Sequence, residues 1–129
     1  FAADENVKII LLPRKGYQGA ELRERHPQKN IIVPPEVLDG SNLLAAADFV
    51  FSGGGTMNRE AAALGVPTAT FFAGQPAAVD EYLFSEGRLL KIETSADLAK
   101  ITLTKKKGLN PRDGSSVREQ VVELILREQ

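Results

Sequence analysis

Apolar positions fall in short, nearly continuous runs, separated by longer stretches where apolar residues recur with helical spacing. The runs at 7–12 (VKIILL), 30–33 (NIIV), 48–52 (DFVFS), 68–72 (TATFF) and 89–92 (LLKI) read as strands. Their near-continuous apolar character suits strands covered on both faces. Helical stretches are expected between them at 20–25, 42–47, 56–64 and 77–86, the third stopped by Gly65 with Pro67 just beyond. A further helix is expected over 95–101, and an amphipathic one opens at Ser115 and closes the chain. The segment KKKGLNPRDGSS before it is turn-rich, and its lysines 105–107 read as a solvated turn. Strand and helix in alternation predict an α/β fold with a mainly parallel sheet of about five strands and helices on both faces.

Such a sheet places ligands outside the carboxyl ends of its strands, so the loops that follow the strands are where chemistry is expected. One of them stands out. In FVFSGGGTMNREAAALGVP, three successive glycines join a strand to the mouth of an alanine-rich helix. Glycine accepts positive φ and carries no side chain, so this turn lets backbone N–H groups approach a ligand closely. Thr56 can cap the helix or offer its hydroxyl, and the free N–H groups of the first turn favour an anion such as a phosphate or diphosphate. Glu60, one turn further on, lies on the same face and suits the hydroxyls of a ribose. Asn58 and Arg59 are candidate contacts; Arg59 serves equally well as a partner for a carboxylate on the helix surface. The dinucleotide pattern G-x-G-x-x-G fails at Asn58, and no Gly-Lys-Ser/Thr follows to make a P-loop.

Composition narrows the rest. A chain of 129 residues with 43% hydrophobic content can bury one ordinary core, so a single domain over 1–129 is expected. A net charge of −1 gives no electrostatic footprint for nucleic acid, and no apolar stretch is long enough to span a membrane. The absence of cysteine removes thiolate chemistry and fits a reducing, cytoplasmic setting. The one histidine, His26, sits in a polar run, and no imidazoles or paired carboxylates occur at metal-ligand spacing, so neither metal nor cofactor is expected. The opening FAADEN looks like the tail of a helix, which makes the chain read as part of a longer protein, with oligomers expected of the fragment.

The segment ADFVFSGGGTMNREAAALGVPTATFF resembles the donor-nucleotide segment of GT-B glycosyltransferases, including the N-acetylglucosaminyltransferase MurG, and of nucleotide-sugar 2-epimerases. It is closer still to an archaeal and bacterial family known only as a domain of unknown function, with Asp80, Leu83 and Gly87 in the later matching positions. PRKGYQ after the first strand and DGSNLLAAAD before the third carry the same likeness, which covers residues 7–92. The resemblance implies the C-terminal half of a GT-B enzyme, a Rossmann-like three-layer sandwich whose acceptor-binding N-terminal domain lies elsewhere in the protein. It implies that Ser52, Gly53, Gly54, Gly55 and Thr56 hold the diphosphate, Glu60 the ribose, and that Arg14 adds positive charge. Gln75 and Asp80 stand where such enzymes contact the sugar, although the loop AGQPAAVDEYL departs from their pattern. The expected partner is a nucleoside diphosphate sugar. Transferase, epimerase and non-catalytic binding domain all remain open, and this chain alone is expected to be inactive.

Overall fold

A computed structural model describes residues 1–127 and divides the chain into two compact units, Phe1–Asp39 and Gly40–Gln129. The first holds β1 (Ile9–Ile10), α1 (Gly16–Arg25) and β2 (Ile31–Ile32), with the two strands paired in parallel. Helix α1 begins four residues earlier than its apolar spacing predicts, at Gly16 rather than Ala20. The cause is local: the Gln18 side-chain oxygen accepts from the Lys15 N–H at 2.9 Å and caps the helix start. Asn30 ties the same unit together by donating its amide to the carbonyls of Ala2, Asp4 and Val7.

The second unit contains α2 (Gly40–Ala46), β3 (Val50–Ser52), α3 (Thr56–Leu64), β4 (Thr68–Thr70), α4 (Ala78–Ser85), β5 (Leu90–Lys91), α5 (Ser95–Ala99) and α6 (Ser115–Arg127). Its sheet has the order β3-β4-β5, all parallel, with Val50 opposite Thr68, Ser52 opposite Thr70 and Thr70 opposite Lys91. All five expected strands exist, but they form sheets of two and three strands, one in each unit, instead of one sheet of about five. Every strand is shorter than its apolar run, because only part of each run enters a ladder.

Helix α3 organises the second unit. Its neighbouring alanines face different ways: Ala61 joins Leu44, Val50 and Val66 in one buried cluster, while Ala62 joins Leu83 and Leu89 in another. Side chains this small let the helix lie close against the strands, so both clusters are built on one helix. Across the sheet, Phe51 and Phe71 meet at 5.0 Å between ring centroids and stay about half exposed, at 45% and 51%. That face is apolar and open.

The C-terminal end of α3 is closed by chain distant in sequence. Gly65, at φ 76°, takes the left-handed cap, and the carbonyls of Leu64 and Ala63 accept from the N–H groups of Asn110 and Arg112. The turn-rich crossing thus supplies the partners that the helix end lacks. Its lysines are not merely solvated: Lys105 reaches Asp48 at 3.1 Å, and the Lys106 ammonium donates to the Ala47 carbonyl at 2.7 Å, just past the end of α2. The Lys106 backbone N–H, donating to Asp48 Oδ1 at 3.1 Å, and then the Lys105 ammonium hold the Asp48 carboxyl below its usual range. No helix among the described residues is long and apolar enough to cross a membrane.

Candidate functional site

The glycine turn leaves β3 and enters α3 through two residues at positive φ, Gly54 at 101° and Gly55 at 100°. Gly55 is the N-cap, with ψ −167°, a conformation essentially confined to glycine. Thr56 is therefore the first helical residue and not the cap. No side chain caps α3 and no acidic residue stands in its first turn, which leaves the positive end of its dipole unneutralised. That is an anion-attracting end by construction.

Below the turn, three polar residues stand in register at the carboxyl ends of the strands: Ser52, Thr70 and Lys91. Two of them end their strands in the same way. The Gly54 N–H donates to Ser52 Oγ at 3.3 Å and the Phe72 N–H to Thr70 Oγ1 at 3.2 Å, so each hydroxyl turns the chain out of the sheet. Ser52 Oγ in turn donates to Asn58 Oδ1 at 2.6 Å, which joins the end of β3 to the first turn of α3. Asn58 is only 1% exposed, and its Nδ2 has no hydrogen-bond partner.

A cavity of about 360 Å³ opens over this row, and the glycines 53–55, Asn58, Arg59, Thr70, Gln75, Asp80 and Lys91 contribute to its wall. Pocket volumes of this order suit small organic ligands. Of the residues expected from sequence, the structure gathers Gly53, Gly54, Gly55, Asn58, Arg59, Gln75 and Asp80 around one space. Ser52 lies beneath it through its bond to Asn58, whereas Thr56 and Glu60 are exposed on α3 and do not line it. Arg14 is exposed in the first unit, in the loop between β1 and α1.

Arg59 has a fixed partner. Its guanidinium grips Asp80 with two bonds of 2.8 Å, and the second Asp80 oxygen also accepts from the Ala77 N–H at 3.2 Å, capping α4. The fork holds the Asp80 carboxyl below its usual range and pushes Arg59 up. Asp80 thus joins α3 to α4 across the cavity and neutralises the α4 N-terminus. Of the two helix ends facing this space, only that of α3 lacks a capping carboxylate. Thr70, Phe72 and Lys91 also line the cavity, although no sequence motif marks them. The signal for Thr70 and Lys91 lies in the strand register, since both close their strands on the row that starts at Ser52. Among the described residues, no three His, Cys, Asp or Glu side chains converge as a metal-binding set.

Residues 2–127 match the family described as "Protein of unknown function (DUF354)". Over 85 residues the chain is 38% identical to "Uncharacterized protein MJ0665" of Methanocaldococcus jannaschii, an alignment covering 66% of this chain and 24% of that protein. The chain accordingly spans about a quarter of the length of the curated relative it matches. No solved structure matches it.

Proposed function

The chain belongs to the DUF354 family, and we propose that its second unit binds a nucleoside diphosphate sugar, as the donor half of a GT-B-type glycosyltransferase. One observation carries this reading. The uncapped N-terminus of α3 enters through two glycines at positive φ and forms the wall of a cavity at the carboxyl ends of parallel strands. The resemblance of the glycine segment to GT-B donor sites supports it.

In this reading the diphosphate lies on the first turn of α3, beside the cavity-lining Lys91. The ribose extends over the rim, where the exposed Glu60 accepts hydrogen bonds from its hydroxyls. When the bond between the sugar C1 and the diphosphate oxygen breaks, the electron pair stays with the diphosphate. The backbone N–H groups of α3 stabilise that charge without rearranging. The acceptor hydroxyl oxygen forms the new bond to C1 and its proton passes to a base; in this reading the base and the acceptor site come from the remainder of the protein.

Calorimetric titration with the diphosphates of uridine, guanosine and thymidine, beside inorganic pyrophosphate, tests the reading. Binding of at least one nucleotide, tighter than pyrophosphate, is the expected result. Failure of all four to bind would leave a scaffold or non-catalytic domain as the better account.

A further inference from the structure

We infer that Asn58 is a ligand-reading residue of this cavity, whose side-chain amide Ser52 holds so that Nδ2 serves an anion seated on the first turn of α3. The inference rests on the anion-binding reading above, but it is carried by a separate observation. Asn58 is 99% buried and lines the cavity, yet its Nδ2 has neither a hydrogen-bond partner nor any appreciable contact with water. A buried amide with both hydrogens unused is unfavourable for folding alone, because nothing replaces the water it has lost. An apolar residue would fill the same space without that penalty.

The surrounding bonds set which end of the amide is left over. Ser52 Oγ already accepts from the Gly54 N–H, and its own proton goes to Asn58 Oδ1. The 2.6 Å bond from the hydroxyl to Oδ1 places the carbonyl toward Ser52 and the nitrogen away from it. The chain of donors also starts in the glycine turn, so the amide's orientation and the shape of the anion seat are set by the same residues. The group missing around Nδ2 is an acceptor, and an anionic oxygen is the strongest acceptor available. Contact requires the structure around Nδ2 to yield slightly, and the exposed glycines 53–55, which line the same cavity, have no side chains to displace. Ser52 is then a positioning residue, and Asn58 contributes a side-chain donor where α3 otherwise offers only backbone ones.

The test uses the 129-residue chain and inorganic pyrophosphate as probe. Asn58→Leu replaces the amide with an apolar group of similar volume. It should melt within a few degrees of the parent and bind pyrophosphate ten- to a hundredfold more weakly, the scale of losing a hydrogen bond to a charged group. In ¹⁵N-labelled protein the Asn58 side-chain NH2 signals, identified by their disappearance in that variant, should move downfield as pyrophosphate is added. A purely structural amide would show no such movement. If the leucine variant fails to fold, Asn58→Asp and the NH2 signals decide, since a carboxylate there keeps the Ser52 bond and repels the anion. Parent-like affinity in a folded Asn58 variant, or NH2 signals that stay in place while pyrophosphate binds, overturns the inference and leaves the proposed function standing. A parent chain that does not bind pyrophosphate overturns the inference, and the proposed function falls with it only if the three nucleoside diphosphates also fail to bind.

Discussion

Alanine at Gly54 and at Gly55 separates the turn's structural work from its chemical work. Gly55 sits at φ 100°, ψ −167°, and a Cβ there meets nothing within 4 Å, so its whole penalty is backbone strain. Strain of this kind costs about 1–3 kcal/mol. At Gly54, φ is 101° and the added Cβ comes within 3.3 Å of Phe72 Cβ and Cγ, so crowding adds to strain and the loss should be larger. With a urea slope of about 1–3 kcal/mol per M, a loss of about 2 kcal/mol lowers the unfolding midpoint by about 1 M. Stability alone does not reveal a ligand site, because both substitutions cost it. The deciding quantity is pyrophosphate affinity per folded molecule, measured by calorimetry at fixed ionic strength beside the urea curves. The open space next to Gly55 is where the anion is placed, so Gly55→Ala should weaken binding tenfold or more after correction for the folded fraction. A Gly55→Ala protein as stable as the parent would refute the strained cap. One that loses stability while its folded fraction binds pyrophosphate as tightly as the parent would refute the anion cradle.

Three other outcomes are expected. Glu60→Ala should weaken binding of the preferred nucleoside diphosphate by about 1–3 kcal/mol and leave pyrophosphate binding unchanged in calorimetry, with an equal loss for both ligands showing that Glu60 does not hold the ribose. The contribution of Asp97 to thermal stability should be complete above about pH 5 and be lost toward pH 2, because its carboxyl is held at about 2 instead of 3.8, first by Lys100 and then by Thr94. A carboxyl lowered on folding stabilises while ionised and loses that contribution as acid protonates it, so Asp97→Asn should flatten this part of the melting profile. Gly65→Ala combines a left-handed cap at φ 76° with a direct clash against the Asn110 carbonyl, so it should release the 102–114 crossing to limited proteolysis.

The parts of the fold legible in the sequence are those with a local cause. Helix α3 occupies 56–64 as its spacing predicts, because a glycine turn starts it and Gly65 stops it within one short stretch. The five strands announce themselves by apolar runs, but which strands share a sheet depends on pairing between distant residues, and that is not written in any single run. The site divides in the same way. Gly54 and Gly55 are conspicuous because positive φ demands glycine, whereas the choice of Asp80 as partner for Arg59 appears only once α4 is packed beside α3. Asn58 reads from sequence as one candidate contact among several; burial sets it apart, and burial is a property of the neighbours. The lysines at 105 and 106 looked solvated for the same reason, since Asp48 lies 57 positions before the first of them.

The measurement that bears most directly on the central claim is the backbone ¹H–¹⁵N spectrum of the whole chain titrated with uridine diphosphate, and with the guanosine and thymidine diphosphates if it does not bind. The expected result is saturable shifts concentrated in the amides of Gly54, Gly55, Thr56 and Met57, with smaller changes at Thr70 and Lys91. A spectrum unchanged by all three, or shifts gathered instead around the second cavity beside Asp48, Ile92 and Ile101, would contradict the assignment of the α3 N-terminus as a diphosphate site.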